Sequence, residues 1–371
     1  MKYGFFLMPL HAPERPVADG YDDDIDLLVR GDRLGFSEAW IGEHFTAAWE
    51  NIPAPDQIIA KAAALTENIR LGTGVSCLPY QHPVVTAHRI AALDHLTRGR
   101  IMFGIGTGSV PTDLQAFGID ASSGQQRAMM KEAIEIILRV WESDGSFDYP
   151  GDYWQVPRVD PRPAARLGFY LKPYQQPHPP IAVAGVSPKS DSLEMAGARG
   201  WIPMSINFAL VPALRRHWAT YEAAAGTAGL TADRSEWRIA REIYVAPTTE
   251  QARAEAIRGG MARAFDGYMR PFLEGLGALS FVKNSREMPD SEITPDYLAD
   301  NLWIVGSPDD VAAKLRRLYE DVGGFGTVLL IGHDWEPREN WNRSLELFTN
   351  EVMPQLADLT GAARLSAAAG D

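Results

Sequence analysis

The sequence has little of what would tie it to an oxidising compartment, a membrane or a nucleic acid. It contains one cysteine, Cys77, among 371 residues, so no disulfide can form within the chain, and we expect a reducing, cytoplasmic setting. The formal net charge of −13 at pH 7 argues against nucleic-acid or acidic-membrane partners, because both require basic surfaces. The apolar start, Tyr3 to Met8, is too short for a signal peptide, and no run is long enough to cross a bilayer.

The common signatures of metal, serine and nicotinamide chemistry are also missing. No histidine belongs to a cluster with metal-ligand spacing, and no Gly-x-Ser-x-Gly nucleophile elbow occurs. The stretch Gly104 to Ser109 resembles a dinucleotide-binding loop, but Ser109 stands where the third glycine belongs. We therefore predict no metal site, no serine hydrolase and no nicotinamide site of the Rossmann type. Thr107, in the same glycine-rich turn, remains able to hydrogen-bond a ligand.

What the sequence does have is a regular alternation of short apolar runs and helix-like segments. The runs at Ile101, Ile181 and Thr327 are continuously apolar, which is typical of parallel strands covered on both faces. This alternation predicts an α/β fold, a closed (β/α)8 or TIM barrel. The predicted strands are Tyr3 to Met8, Ala39 to Ile41, Ile69 to Val75, Ile101 to Ile105, Ile181 to Ala184, Trp201 to Met204, Trp237 to Val245 and Thr327 to Ile331.

Two intervals are too long for one helix and predict insertions after strands 4 and 7. The first, residues 143–180, contains Phe147 to Val156, which indicates a hairpin around Pro150 and Gly151. The second, residues 267–300, is rich in glycine, proline and charge, and we expect a mobile excursion over the barrel mouth. Neither has the apolar content for its own core. We predict one domain over residues 1–360 and a disordered tail over residues 361–371.

Glu43 and His44 are the leading catalytic candidates, because they follow the predicted strand Ala39 to Ile41. In a parallel barrel, the carboxyl ends of the strands are where chemistry is done. A histidine titrates near neutral pH and can give or take a proton. The alternative is that the pair packs against the site and satisfies hydrogen bonds without taking part in the reaction.

Two further strand ends could hold a ligand. Small residues from Gly72 to Pro79 would let a flat ring approach the backbone, although a tight turn explains them equally well, and Cys77 there is expected to be a buried small side chain. The stretch Ala184 to Ser190 leads from a strand into a helix, where exposed amides and the positive helix end can bind phosphate. Ser187 and Lys189 would strengthen that site, while a simple capped helix start is the alternative.

In combination, several motifs resemble the bacterial luciferase-like flavin-dependent monooxygenases over nearly the whole chain. The stretches Met8 to His11 and Glu43 to Glu50 are most similar to the limonene monooxygenase subgroup. The motifs shared with the wider family are Gly35 to His44, Leu71 to Pro83, Leu93 to Gly106, Ala184 to Pro188 and Trp303 to Pro308.

The resemblance implies a barrel that binds reduced FMN, supplied by a separate flavin reductase, and that uses O2 as co-substrate. Oxygen would add at the flavin C4a, and the resulting peroxy or hydroperoxy adduct would oxygenate an apolar small molecule such as a terpenoid, a ketone or a long-chain aliphatic compound. The resemblance also implies a homodimer. His44 matches the active-site histidine of the family, and Glu43 stands beside it.

The resemblance further assigns cofactor contacts by position. Gly74 and Val75 match a non-proline cis peptide under the flavin ring, and Trp201 falls near an aromatic contact of the ring system. Gly185, Val186 and Ser187 match the phosphate-binding turn. The complete set of expected cofactor contacts is Met8, Gly74, Val75, Ser76, Thr107, Gly185, Val186, Ser187 and Trp201.

An apolar substrate pocket is expected from Phe45, Trp49, Leu78, Tyr80 and Met204, with core packing as the alternative for several of them. Two other functions stay open at this point. One is an F420-dependent oxidoreductase of the same fold, which transfers hydride and does not activate oxygen. The other is a flavin-binding protein without turnover.

Overall fold

The computed structural model describes residues 1–143, 146–187, 190–285, 287–335 and 337–359. Within these residues, eight parallel strands close into a ring in which each strand pairs with the next and the last pairs with the first. The predicted (β/α)8 barrel is therefore confirmed. The strands are β1 (Lys2–Leu10), β2 (Glu38–Ile41), β3 (Arg70–Thr73), β4 (Ile101–Gly106), β5 (Ile181–Gly185), β6 (Ile202–Ser205), β7 (Arg238–Arg241) and β8 (Thr327–His333).

Because all the barrel strands run in one direction, their carboxyl ends form a single rim. Phe5 of β1 lies opposite Ala39 of β2, and Ala39 lies opposite Leu71 of β3. The loops that follow the strands therefore converge at one end of the barrel, where barrels of this kind carry their sites.

Two strands differ in extent from the prediction. The run Ile69 to Val75 leaves the barrel ladder after Thr73, and the next peptide, between Gly74 and Val75, is cis. The run Trp237 to Val245 is divided at Glu242: β7 stays in the barrel, whereas Ile243–Val245 pairs with Ile304–Gly306 in a separate two-stranded sheet. A continuous apolar pattern does not reveal this change of partner, because both halves of the run are buried.

Helices surround the barrel. Ser307 caps the helix α12 (Pro308–Val322) by accepting the backbone N–H of Asp310, and Gly323 ends this helix in the left-handed conformation. No helix in the described residues combines the length and apolarity needed to cross a bilayer. The helices are α1 (Val17–Leu34), α2 (Pro55–Ala63), α3 (Pro83–Leu96), α4 (Pro111–Ala116), α5 (Gln125–Glu142), α6 (Asp191–Arg199), α7 (Val211–Thr227), α8 (Thr249–Ala256), α9 (Gly260–Ala264), α10 (Arg270–Gly275), α11 (Pro295–Asn301), α12 (Pro308–Val322), α13 (Arg338–Leu347) and α14 (Met353–Gln355).

The two long connections contain short elements. After α5, Tyr149–Pro150 pairs with Gln155–Val156 as an antiparallel hairpin whose turn begins at Gly151, so the predicted hairpin is present. Between β7 and β8, a π-helical turn (Phe265–Met269) leads into α10. The exact limits of the two insertions stay a prediction, and the predicted tail over residues 361–371 lies outside the described residues.

A fully buried tryptophan fills the inside of the barrel below the rim. The indole N–H of Trp40 donates to Glu38 at 2.9 Å, and Glu38 pairs with Arg238 at 3.1 Å near the amino ends of β2 and β7. A Cβ at Gly72 would lie 2.5 Å from the Trp40 ring, so this glycine makes room for it. The interior is thus filled at the level of Trp40, and the cavity described below lies above it, at the carboxyl-terminal rim.

Candidate active site

A cavity of about 430 Å³ opens at the carboxyl-terminal rim, a volume typical of sites for small molecules. Its wall is built from the end of β1, the loops after β2, β3, β4, β5 and β6, and the segment between β7 and β8. Residues that line it include Met8, Glu43, His44, Glu50, Gly74, Val75, Thr107, Arg127, Val186, Ser187, Asn207 and Phe272.

His44 lies in the cavity wall with its ring between two carboxylates. Nε2 is 3.3 Å from Glu50 Oε2, and Nδ1 is 3.5 Å from Asp113 Oδ2. Burial lowers the pKa of His44, but the surrounding carboxylates, Glu50 foremost, raise it by more, so the net pKa lies above its ordinary value. The surrounding carboxylates therefore favour the protonated imidazole over the neutral one.

Asp113, in the first turn of α4, holds the loop after β2 in place. It accepts hydrogen bonds from the Thr46 backbone N–H at 2.7 Å, from the Thr46 hydroxyl at 2.6 Å and from the Phe45 N–H at 3.2 Å. Burial raises the pKa of Asp113, but hydrogen bonds from His44 and Thr46 outweigh it, and the net pKa lies below its ordinary value. Asp113 is thus an anion whose charge is already well satisfied.

Glu43 connects the loop after β2 to the segment after β3. One carboxylate oxygen accepts the backbone N–H of Cys77 at 2.6 Å, and the other accepts the Gln81 amide at 3.2 Å. Burial raises the pKa of Glu43 to about 7. These contacts give Glu43 a structural task in the wall of the cavity, and its part in catalysis stays a prediction.

The segment after β3 forms one side of the cavity. Gly74 and Val75 both line it, and the cis peptide that joins them agrees with the expectation from the family resemblance. A Cβ at Gly106 would lie 2.4 Å from the Val75 side chain, so the glycine-rich turn after β4 makes room for Val75. Burial raises the pKa of the Cys77 thiol well above its ordinary value, as suits a buried small side chain.

Hydroxyl groups gather where β5 leads into α6. Ser190 caps α6 by accepting the backbone N–H of Leu193 at 3.3 Å, and Ser187 and Ser192 also line the cavity. The amino-terminal end of a helix carries partial positive charge and unpaired N–H groups, which favour anions. Lys189, which was expected to strengthen this site, lies outside the described residues.

Two side chains on α5 border the same cavity. Arg127 brings a guanidinium group, which suits phosphate. Gln126 is 9% exposed, and its buried Oε1 has no hydrogen-bond partner among the described residues. Thr107 lines the cavity and donates its hydroxyl to the Gly108 carbonyl at 3.2 Å. This part of the wall offers polar groups for a ligand to satisfy.

A roof of apolar side chains covers the cavity. We call residues 265–282 the roof segment; it comprises the π-helical turn, α10 and a following 3-10 turn. It overlaps the start of the predicted excursion over residues 267–300, whose limits and mobility stay a prediction. The roof residues that line the cavity are Met269, Phe272, Leu273, Leu276, Ala278 and Phe281.

Most of the predicted cofactor contacts come together here. Met8, Gly74, Val75, Thr107, Val186 and Ser187 all line the cavity with Glu43 and His44, and Gly185 lies between the lining residues Ala184 and Val186 at the end of β5. Ser76 instead borders a separate space of about 20 Å³ on the outer side of Glu43.

Trp201 and Met204 lie away from the cavity lining. Trp201 precedes β6, at the opposite end of the barrel, and its ring is buried in the core with the Arg199 guanidinium 5.0 Å from its centroid. Met204 is fully buried in the barrel interior with Trp40, below the cavity. Neither belongs to the cavity lining as the described residues define it, because the run Trp201 to Met204 ends before the rim.

The other predicted substrate contacts lie beside the cavity. Leu78 and Tyr80 form a 3-10 turn that points them into the core, and Tyr80 stacks on Phe117 at 4.5 Å. Phe45 packs edge-on against both rings, and Trp49 stacks on Tyr268 of the roof segment at 6.3 Å. None of these four side chains is among the described lining residues, whereas the roof segment supplies apolar lining.

Several residues in or beside the cavity escaped the sequence reasoning. Glu50 lies in the stretch Glu43 to Glu50 but was given no role, and its position six residues after His44 was the available signal. Asp113 in α4, Asn207 after β6 and Arg127 in α5 have no motif of their own. Only the folded chain brings Asn207 and Arg127 to the cavity wall and Asp113 to His44.

Comparison with known proteins agrees with this geometry. The model of the luciferase-like monooxygenase family matches residues 1–324. The chain belongs to the luciferase-like monooxygenase family.

Within this family, the chain is 32% identical to the 3,6-diketocamphane 1,6-monooxygenase of Pseudomonas putida, over 96% of this chain and 98% of that protein. It is also 32% identical to the limonene 1,2-monooxygenase of Rhodococcus erythropolis, over 95% of this chain and 86% of that protein. A solved structure of the oxygenating constituent of 3,6-diketocamphane monooxygenase from Pseudomonas putida, a type II Baeyer–Villiger monooxygenase in complex with FMN, matches with a TM-score of 0.88. That match is 32% identical and covers 95% of this chain and 98% of that chain.

Proposed function

We propose that this protein is the oxygenase of a two-component system that uses reduced FMN and O2 to oxygenate an apolar small molecule, such as a terpenoid, a ketone or a long-chain aliphatic compound. The observation that carries the proposal is the composition of the one cavity described above. It combines a histidine between two carboxylates, a polar end at α6 and an apolar roof.

The residues present fit FMN. Ser187, Ser190 and Arg127 would hold its phosphate, and the Gly74–Val75 segment would support its ring system. The buried Gln126 Oε1 without a partner is the kind of acceptor that a ribityl hydroxyl can satisfy. When bound in its reduced form, FMN supplies the electrons that activate O2.

The protein itself contributes three things. The roof segment excludes water and gives an apolar substrate a surface to bind, through Phe272 and Phe281 among others. His44 borders the cavity and is able to give a proton to, or take one from, a group bound there. Glu43 and Asp113 keep the His44 loop fixed, so the ring stays oriented toward the ligand.

The source of electrons in this proposal is a separate flavin reductase. Ser109 replaces the third glycine of a dinucleotide fingerprint, and this chain thus lacks the nicotinamide motif that a self-sufficient enzyme of the Rossmann type would carry. Association as a homodimer stays a prediction.

Reconstitution tests the function. The purified protein is mixed with FMN, NADH, a flavin reductase and a panel that contains a bicyclic terpene ketone, limonene and a long-chain aldehyde. We expect oxygen consumption and one oxygenated product, a lactone from the ketone or an epoxide from the alkene. The control omits this protein, and it should give hydrogen peroxide without product.

The same assay separates the alternatives. Hydride transfer to or from F420 that is insensitive to oxygen would contradict the monooxygenase and favour an F420-dependent oxidoreductase. FMN binding with no product from any member of the panel, unchanged by His44→Ala, would favour a flavin-binding protein without turnover.

A further inference from the structure

Glu50 is a buried carboxylate with an unequal set of neighbours. It is 2% exposed. Its Oε2 is 3.3 Å from His44 Nε2 and accepts the Tyr268 hydroxyl at 2.6 Å. Its Oε1 is buried and has no hydrogen-bond partner within the described part of the chain. Oε2 of Glu50 therefore contacts both His44 and Tyr268.

The second carboxylate beside His44 differs in this respect. Asp113 accepts three hydrogen bonds from Phe45 and Thr46, so most of its charge is satisfied by the loop. Glu50 lacks that support, and a carboxylate with few donors interacts more strongly with each of them. Less of the Glu50 charge than of the Asp113 charge is therefore satisfied by the loop, and more of it acts on His44.

The backbone fixes Glu50 in this position. Glu50 forms an antiparallel β-bridge with Leu10 at the end of β1, and the Glu50 N–H donates to the Ala47 carbonyl at 3.2 Å. The His44 N–H donates to the Ile52 carbonyl at 2.9 Å, within the same loop. Both residues therefore belong to one hydrogen-bonded loop.

Tyr268, by contrast, belongs to the roof segment. Its ring lies between Trp49 and Phe272, with ring centroids 6.3 Å and 5.7 Å away. Phe272 lines the cavity. The hydroxyl of Tyr268 therefore joins the cover of the cavity to the carboxylate that holds His44.

We propose that Glu50 and Tyr268 are positioning residues for His44: Glu50 accepts the Nε2 hydrogen and fixes the ring, and Tyr268 of the roof segment shares the Glu50 carboxylate with His44. Because the Tyr268 hydroxyl takes up part of the charge of Glu50, it makes the His44 proton easier to lose. This assignment rests on the proposed function, because it describes how the same site controls the proton used during oxygenation.

The arrangement can be tested through the pKa of His44. The carboxylates that face His44 are those of Glu50, Asp113 and Glu43, and Tyr268 donates a hydrogen bond to Glu50. Removing the charge of Glu50 should make the His44 proton easier to lose. Removing the Tyr268 hydroxyl should do the opposite, because Glu50 Oε2 is left with His44 as its one donor.

The experiment is an NMR titration of protein labelled at histidine, with the His44 signal assigned from its loss in His44→Gln. We expect Glu50→Gln to lower the titration midpoint of His44 by about one pH unit or more, and Glu50→Asp to restore part of that shift. Tyr268→Phe should raise the midpoint. Matched controls are Glu255→Gln and Tyr244→Phe, a hydrogen-bonded glutamate–tyrosine pair outside the cavity lining, and these should leave the midpoint unchanged.

A merely structural role for Glu50 would leave the His44 midpoint in place or move it equally in Glu50→Gln and Glu50→Asp, and either result would overturn the assignment. A shift in Glu50→Gln with none in Tyr268→Phe would overturn the part that concerns the roof. Because the titration needs no flavin or substrate, it separates the two proposals. Shifts in a protein that oxygenates nothing would support this arrangement and contradict the function, whereas an active monooxygenase without shifts would do the reverse.

Discussion

His11 and His44 lie at the same rim of the barrel, each between two carboxylates. His11 Nε2 is 3.3 Å from Asp24, and its Nδ1 is 3.7 Å from Asp334, distances close to those around His44. The space beside His11 is about 30 Å³, whereas the cavity beside His44 is about 430 Å³. A similar arrangement of charges thus occurs beside a space too small for a ligand at His11 and beside a ligand-sized cavity at His44.

The neighbours of the two clusters explain the difference. Around His11, Arg15 pairs with both Asp23 and Asp334, and Arg338 also pairs with Asp23. These ion pairs join α1 to the end of β8 and leave little room for a ligand. Around His44, the loop and the roof segment surround open space instead. The comparison indicates that a histidine between carboxylates stabilises the fold in the first region, and in the proposed function the second histidine serves chemistry.

The largest expected effect comes from removing His11. His11→Ala leaves two buried carboxylates without their shared partner, and we expect the free energy of unfolding to fall by about 3 kcal/mol, measured by urea denaturation. His44→Ala should lower the free energy of unfolding by less, because His44 borders a cavity that admits water. Equal losses in both variants would contradict the division between a structural and a functional cluster.

The next effect concerns activity. His44→Ala should reduce the yield of oxygenated product per NADH by about 10²-fold or more, the usual scale for a general acid or base. The measurement is product formation in the reconstituted assay, at a temperature where the variant is folded. Unchanged coupling would remove His44 from the mechanism. His11→Gln serves as the matched variant at the other cluster and should retain coupling.

A third way to sharpen the comparison is the pH dependence of stability. Burial lowers the pKa of His11, but Asp24 and Asp334 raise it by more, to about 9. Because this pKa lies above the unfolded value of about 6.5, the stabilisation is fully present below about pH 6.5 and is lost as the pH rises through about 9. The free energy of unfolding should therefore fall between pH 6.5 and pH 9, and fall less steeply in His11→Gln. Parallel pH profiles of the two proteins would argue against this origin.

The smallest expected effect concerns the polar end of the cavity. Ser187→Asp places a negative charge where the phosphate is expected, and FMN affinity should drop about 10-fold, or roughly 1.4 kcal/mol. Fluorescence titration with FMN measures it. Ser291→Asp, at an exposed position, is the control for added charge. If both variants bind FMN as the unaltered protein does, the phosphate lies elsewhere.

Much of the fold was predictable because it depends on local patterns. Continuous apolar runs locate buried parallel strands, and Ser307 with Gly323 delimits a helix wherever the helix packs. His44 was predictable for the same reason, since a residue just after a strand lies at the rim of any parallel barrel. The limits of the runs were less certain: the ladder of the third strand ends at Thr73, two residues before the predicted limit of Val75.

The apolar lining was not predictable from the sequence, and the reason is distance along the chain. Tyr268 and Glu50 are 218 residues apart, and no local pattern couples the roof segment to the loop after β2. Met204 and Leu78 were assigned to the pocket because they are apolar and near strand ends. Their depth depends on where each strand stops relative to the rim, which only the assembled barrel determines.

The most direct test of the whole account is isotope labelling of the product. Under ¹⁸O2, with reduced FMN supplied by the reductase and a bicyclic terpene ketone as substrate, mass spectrometry should find one ¹⁸O atom in each product molecule. The label should appear with His11→Gln and be nearly lost with His44→Ala. Product that takes its added oxygen from water, or no product from any apolar substrate while FMN is bound, would contradict the account.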